Sequence, residues 1–376
     1  MKPVILCVLF LVVSRCPVFA QAPAPQDKLR LERADELRIV GEQKAEIYLF
    51  SGNVRLRQGL SRLFCQRGQF ATATQFALLQ DSVYIEDVGR QLYGDRMDYD
   101  GNIKEAWVDG HARLNTSDHV LQANWMHYKR IEEQAEARGN VHLVDFVQHT
   151  TLCGGFAFYD RLKGFGRITD APMLTHVDST GRDTLRVWGR LMEAWADSQR
   201  VEITDSVRIV QGDMRAQCQK AYYWAESGRL LLIDTPIVWQ ESQQLRADTI
   251  DVNIGQSKLS SGRLLGHAEV LSTDTSNTGT MTGSIIVFQL PTDSTRYVQV
   301  TGQATSTYHV PDTEDTPGEN TFTGDEIEMY FKRKKLIRMR VLSTPGLSTG
   351  TFKPQPRPPK VVKEEAVSDS NQTTGR

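Results

Sequence analysis

Cysteine is scarce in this chain: five residues in 376, with no CxxC pair, and the eight histidines are scattered. That removes a zinc site or a disulfide scaffold as the organising element. Neither sign of charge is in excess, since 44 Lys and Arg face 46 Asp and Glu for a formal charge of −2. A nucleic-acid partner therefore has no electrostatic footprint to follow. Past the N-terminus nothing approaches the ~18 consecutive apolar residues of a membrane-spanning helix. Nucleophile elbow, phosphate loop and paired zinc motif are all missing, which leaves an enzymatic reading without a motif and implies no cofactor. Helical periodicity is nearly absent.

What the chain has in quantity is repetition. GNVRL at 52–56 recurs as DSVYI at 81–85, GHARL at 110–114 and GNVHL at 139–143, every 29 residues. Later copies drift by a few residues: DAPML at 170–174, DSVRI at 205–209, DTPIV at 234–238 and GHAEV at 266–270. A second phrase alternates with the first, as LYGDRMDY at 92–99, LQANWMHY at 121–128, LCGGFAFY at 152–159 and LRADTIDV at 245–252. Weaker copies of it raise the total to about ten units, and an opening half-copy occupies 31–39. A fixed period of this length means one supersecondary unit stacked many times around a continuous core.

Within the second phrase the apolar positions are 0, +2, +5 and +7. Each pair follows the two-residue alternation of a half-buried strand. The parity slips between +2 and +5, where Gly94-Asp95, Ala123-Asn124, Gly154-Gly155 and Ala247-Asp248 fall. A strand that changes face there must bend or bulge. In the first phrase Val54, Leu56, Val83, Ile85, Leu114, Val141 and Leu143 share one side, and Arg55, Tyr84, Arg113 and His142 the other. Asp81, Asp205 and Asp234 read as turn formers at strand starts. The equivalent acids Asp95, Asp248 and Asp325 recur one per unit, as corner residues do and as a catalytic carboxylate pair does not. The expected fold is all-β: an elongated, twisted roll of about ten two-strand repeats, mainly antiparallel.

The termini are read differently. Lys2, the apolar run at 5–13 and Val18-Phe19-Ala20 make residues 1–20 a cleavable signal peptide, and so an exported protein. Residues 21–30 form a linker, 31–352 the repeats and 353–376 a disordered tail rich in proline and then polar residues. Thr175–Arg186 interrupts the period, so the array divides into two modules of about 31–175 and 176–352. Ser272–Thr280 and Pro311–Asn320 read as loops. The basic run Lys332–Lys335 reads as a solvated turn, with contact to anionic headgroups as the alternative. Loss of the leader removes Cys7 and Cys16, leaving Cys65, Cys153 and Cys218. At ~4.8 Å per rung the nearest two lie roughly 10 Å apart, too far for a disulfide that needs Cα atoms within ~7 Å.

The alternation of G-N-V-x-L with L-x-A-D-x-M-x-Y resembles the OstA-like family, the β-jelly-roll module of lipopolysaccharide transport. The resemblance covers roughly residues 31 to 345, and in layout the chain is similar to a freestanding, soluble LptA-like protein with extra rungs. It implies a V-shaped roll with an apolar groove for acyl chains and end-to-end joining of rolls through open edge strands. It also implies a periplasmic location between inner- and outer-membrane components. Lipopolysaccharide or a related glycolipid, other OstA-like modules and further copies of the chain are the partners it implies.

A carrier has its own physical rationale, since acyl area hidden from water is worth ~25 cal/mol per Å². The candidate lining residues are Val54, Leu56, Val83, Ile85, Leu92, Met97, Leu114, Leu121, Met126, Val141, Leu143, Val207, Ile209 and Ile250. The bland alternative makes them the core of a closed sandwich. Two rival functions stand beside the carrier: a parallel β-helix acting as a polysaccharide-binding or adhesive stalk, and a purely structural assembly module.

Overall fold

The computed structural model describes residues 28–354, apart from 43–44, 148, 178–183, 225, 256–257, 274–277, 291–295, 311–317 and 333–334. The signal peptide, most of the linker and the tail past Pro354 lie outside the described residues. So do the middles of both expected late loops, of the Thr175–Arg186 interruption and of the basic run.

The described residues form one antiparallel sheet of 26 strands, with no helix among them. This overturns the parallel β-helix, whose rungs would pair in parallel. Long strands come first: β3 (Ile47–Gln58), β4 (Ser61–Ala71), β5 (Phe76–Asp87), β6 (Arg90–Asp100), β7 (Glu105–Asn115), β8 (His119–Lys129), β9 (Gln134–Asp145) and β10 (Thr150–Asp160). Two short strands, β1 (Arg30–Arg33) and β2 (Glu36–Val40), precede them and both pair with β3, forming the half-copy seen at 31–39. The middle of the chain alternates broken and whole rungs. Its strands are β11 (Phe165–Thr169), β12 (Met173–Val177), β13 (Thr184–Trp188), β14 (Leu191–Trp195), β15 (Arg200–Gln211), β16 (Met214–Trp224), β17 (Arg229–Ile233), β18 (Ile237–Gln240), β19 (Gln243–Arg246) and β20 (Thr249–Gly255). The array closes with β21 (Lys258–Ser272), β22 (Gly279–Gln289), β23 (Arg296–Val310), β24 (Gly318–Lys332), β25 (Lys335–Leu342) and β26 (Thr349–Pro354).

Each long strand bends at its middle, and the first phrase supplies the bend. All eight copies begin with two consecutive residues at positive φ: Gly52-Asn53, Asp81-Ser82, Gly110-His111, Gly139-Asn140, Asp170-Ala171, Asp205-Ser206, Asp234-Thr235 and Gly266-His267. Glycine enters the left-handed region freely, and Asn and Asp tolerate it better than other residues. The pairing shows the bulge directly. Gln80 faces Arg96 and Val83 faces Gly94, so Asp81 and Ser82 stand opposite Asp95 alone. Asp81 and Asp205 therefore lie mid-strand, and Asp234 lies in the equivalent break between β17 and β18; none begins a strand.

The second phrase braces the same corner. The Cβ that Gly110 lacks would fall 2.3 Å from Asp95 Oδ2, and that of Gly266 would fall 2.2 Å from Asp248 Oδ2. Each carboxylate crosses its glycine to reach the next residue, with Asp95 2.7 Å from His111 Nδ1 and Asp248 2.9 Å from His267 Nδ1. Asn124 does the same over Gly139, accepting from Asn140 Nδ2 at 3.3 Å. The recurring acids thus hold corners. Where the phrase reads DAP or DTP, Pro172 and Pro236 have no N–H for the ladder, and the rung breaks into β11/β12 and β17/β18.

Folding along this line of corners turns two walls toward each other. In the first wall Ala77, Leu79, Met97 and Val108 point inward; in the second, Val54, Leu56, Leu63 and Val83 do. They meet in one core that runs from Leu29 to Met126, and a second core continues from Ala123 to Met329. Every one of those eight is exposed by no more than 1%, and burying each side chain of this size contributes ~1.5–3 kcal/mol, less for alanine. Cys65 and Cys218 are buried in the cores, Cys153 is partly buried, and all three are free thiols.

Candidate functional site: two apolar cavities between the walls

The walls are joined at the corners and free at their tips, so the interior is reached through the seam between the tips. Polar side chains fasten the N-terminal part of that seam. Gln58, at a second-wall tip, donates to Gly101 O at 2.6 Å and accepts from the Tyr99 hydroxyl at 2.5 Å. Asp87 pairs with Arg130 at 2.8 Å, and Arg90 donates to the Tyr128 hydroxyl. Burial pushes the Tyr128 phenol up, against the pull of Arg90, so it stays a neutral partner at working pH.

Beside the first cavity the rims bond along their own walls. Glu133 pairs with Arg161 on the first wall, and His119 lies 3.5 Å from Asp145 on the second. Between these rims opens a cavity of about 430 Å³. Its second-wall lining is Leu114, Leu121, Val141, Leu143 and Leu152; its first-wall lining is Ala135, Ala157, Tyr159, Gly166, Ile168 and Ala194. The volume has a plain origin. The first-wall positions filled by Met97 and Met126 in earlier rungs carry Ala137 and Ala157 in the next two, and a Cβ added at Gly166 would meet nothing within 4 Å. Arg90, Asp118, His119, Glu133 and Arg161 ring the opening.

A second cavity of about 440 Å³ lies near the other end, lined by Leu245, Val270, Met281, Ile286, Phe288, Val298, Met329 and Met339 among others. Methionine linings adapt to irregular apolar shapes.

The fourteen sequence candidates divide between these places. Leu114, Leu121, Val141 and Leu143 line the first cavity. Val54, Leu56, Val83, Ile85, Leu92, Met97 and Met126 belong to the N-terminal core, with a gap of about 20 Å³ beside Ile85, Leu92 and Leu114; Val54 and Val83 also border an open groove with Asn53, Asp95 and His111. Val207, Ile209 and Ile250 are packed in the second core, away from both cavities. Sequence reasoning missed the small residues that make the first cavity. The signal was present in LCGGFAFY, where the +5 slot falls from methionine to Ala157. It missed the second cavity's lining altogether: Leu245 and Val270 lie in clear copies of the two phrases, and the rungs of Met281, Phe288 and Met329 match them weakly.

The described residues hold no group of three or more His, Cys, Asp and Glu placed to bind a metal. Burial pushes the thiols of Cys65 and Cys218 up to about 12, which removes them as nucleophiles at neutral pH.

No curated protein matches the chain. Among solved structures, similarity is found to the crystal structure of LptH, the LptA homologous periplasmic component of the conserved lipopolysaccharide transport device from Pseudomonas aeruginosa. That similarity has 16% identity and a TM-score of 0.26, and covers 28% of this chain and 76% of LptH. The family model described as OstA-like protein matches residues 26–161, a span that closes one residue after the end of β10. The matched span of 26–161 takes in the latched part of the roll, from Leu29 on, and one flank of the first cavity, and it is this part of the chain that is similar to the OstA-like family.

Proposed function

We propose that the protein is a non-enzymatic carrier in lipopolysaccharide transport, working in the periplasm and sheltering acyl chains between its walls. The observation that carries this reading is the first cavity: an apolar space of about 430 Å³, open at the seam, with charged side chains confined to its rim. An acyl chain fits that division, because its apolar length gains from leaving water while its head stays wet. The OstA-like match over residues 26–161 supports the same reading.

Lipopolysaccharide or a related glycolipid is the cargo on this reading, and other OstA-like modules or further copies of the chain are the neighbours. Both ends of the sheet support end-to-end joining. β1 and β2 pair with β3, and β25 and β26 pair with β24, each leaving an outer edge. Leu37, Ile39 and Val40 on β2 and Phe352 on β26 are exposed there.

The test is photocrosslinking in cells. A photoreactive residue at Val141 or Leu143 should capture lipopolysaccharide, and one at Gln122, which points outward from the same wall, should not. Met97, exposed by 0% in the closed core, is an unsuitable probe position, and Lys129 is half-buried and so a poor control. Equal capture at Leu143 and Gln122 would refute the carrier. If depletion also left surface lipopolysaccharide unchanged, a structural assembly module would be the better description.

A further inference from the structure

The two cavities are separate. Between them stand β15, β16 and the β17/β18 rung, with Val201, Ile203, Met214, Ala221, Leu230 and Leu232 directed inward and none exposed by more than 5%. At ~4.8 Å per rung this packed septum is roughly 15 Å thick. The seam above it is filled too: Gln211 and Tyr223 are buried at 6% and 1% exposure. A chain in the first cavity therefore has no interior route to the second.

From this septum we infer that the roll is a two-pocket binder and no through-conduit: the second cavity is an independent site for one anionic, single-headed acyl amphiphile of the fatty-acid type. The inference rests on the carrier reading given above and adds a second site, its ligand class and its stoichiometry. Three observations choose the occupant. The cavity's interior is apolar, with Ser306 a buried polar exception turned to Met329 Sδ at 3.6 Å. Its volume of about 440 Å³ lies within the ~300–1,000 Å³ typical of small-molecule sites and holds one slender chain, as the first cavity of about 430 Å³ holds one chain of a larger lipid. Its charged lining residues are Arg296 and Glu241, and Arg296 pairs in the ladder with Phe331, beside exposed Lys332. Arg296 thus places a guanidinium where an anionic head would emerge, and Lys332 adds positive charge to the same rim. The basic run at 332–335 begins at this rim.

The experiment is a titration of the full chain with a fluorescent fatty acid such as cis-parinaric acid. Wild type should bind two equivalents. Gly166→Leu, which fills open space in the first cavity, should remove one. Ser306→Phe should remove the other, and Val298→Phe, at a partly exposed lining position, serves if the buried substitution impairs folding as judged by circular dichroism. Arg296→Gln should weaken the second site about tenfold for a fatty acid and leave the corresponding fatty alcohol unaffected, the usual scale for a lost charged hydrogen bond. Lengthening the chain should tighten binding about fourfold per methylene until the cavity is full. One equivalent, abolished by Gly166→Leu and untouched by folded Ser306→Phe or Val298→Phe, overturns the second site and leaves the carrier intact. No binding by wild type sinks both.

Discussion

Replacing Gly110 by alanine tests whether the repeated phrase sets the bend of the walls. Gly110 sits at φ +74°, and its missing Cβ would lie 2.3 Å from Asp95 Oδ2. An L-residue in the left-handed region costs ~1–2 kcal/mol. The contact distance also forces Asp95 off its 2.7 Å partner His111, a pair so exposed that its loss adds little by itself. Together with displacement of the carboxylate, the expected destabilisation is ~2–3 kcal/mol, by summing these contributions. Asp95→Ala alone should cost little. Combined with Gly110→Ala it removes the 2.3 Å carboxylate contact and leaves the backbone cost and a tight 3.0 Å approach to the Cβ of residue 95, so the double variant should recover to about 2 kcal/mol. Urea unfolding read by fluorescence of Trp107, on the strand that carries this corner, and Trp125, on its neighbour, reports the local unit, because a repeat array need not melt as one. A Gly110→Ala chain as stable as wild type, or a double variant no better than the single, would show that something other than the corner sets the bend.

Two further predictions follow from the charge and thiol chemistry. Burial works against ionisation of Asp251, but hydrogen bonds from Arg229 and Arg263 overcome it and hold its carboxyl below the usual range. A lowered folded value means stability present above the ordinary Asp value of ~3.9 and lost as pH falls through the folded one. Asp251→Asn should therefore lower the urea midpoint at pH 7 and much less at pH 3; an equal penalty at both would contradict the pairing. Among the described cysteines, Cys153 should react first with a disulfide reagent at pH 8 when Cys7 and Cys16 are replaced by serine. Cys65 and Cys218, with thiols at about 12, should react only on unfolding. Rapid native labelling of Cys65 would show that the N-terminal core opens.

The period of 29 residues and the two-residue alternation carried the architecture into view, because stacking rungs and burying one face are local demands written into every copy. The location of the bend was half legible. The parity slip at Gly94-Asp95 marked it in the second phrase, but the first phrase keeps its parity by spending two left-handed residues, so Asp81 looks like a strand start when read alone. The cavities were nearly illegible. Leu143 and Leu56 occupy equivalent slots and are the same residue, yet one lines open space and the other a closed core. What separates them is the size of the side chain across the interior, Ala157 in place of a methionine, and sequence offers no register between walls until the fold is known.

The proline-interrupted corners have a mechanical consequence. The septum contains the unbroken rungs β15 and β16, whose backbone runs as one strand from wall to wall, so the spacing of the walls is fixed there. On either side of those two strands the spine is unstitched, at β11/β12 and β13/β14 and again at β17/β18 and β19/β20, while the unbroken strands β7–β10 and β21–β24 carry most of the two cavity linings. With fewer ladder bonds crossing the fold line, the walls spread at lower cost in these places than at β15 and β16. The roll therefore has a rigid bar at β15 and β16 with a softer fold line on each side of it, so a change in wall spacing on one side is not passed to the other.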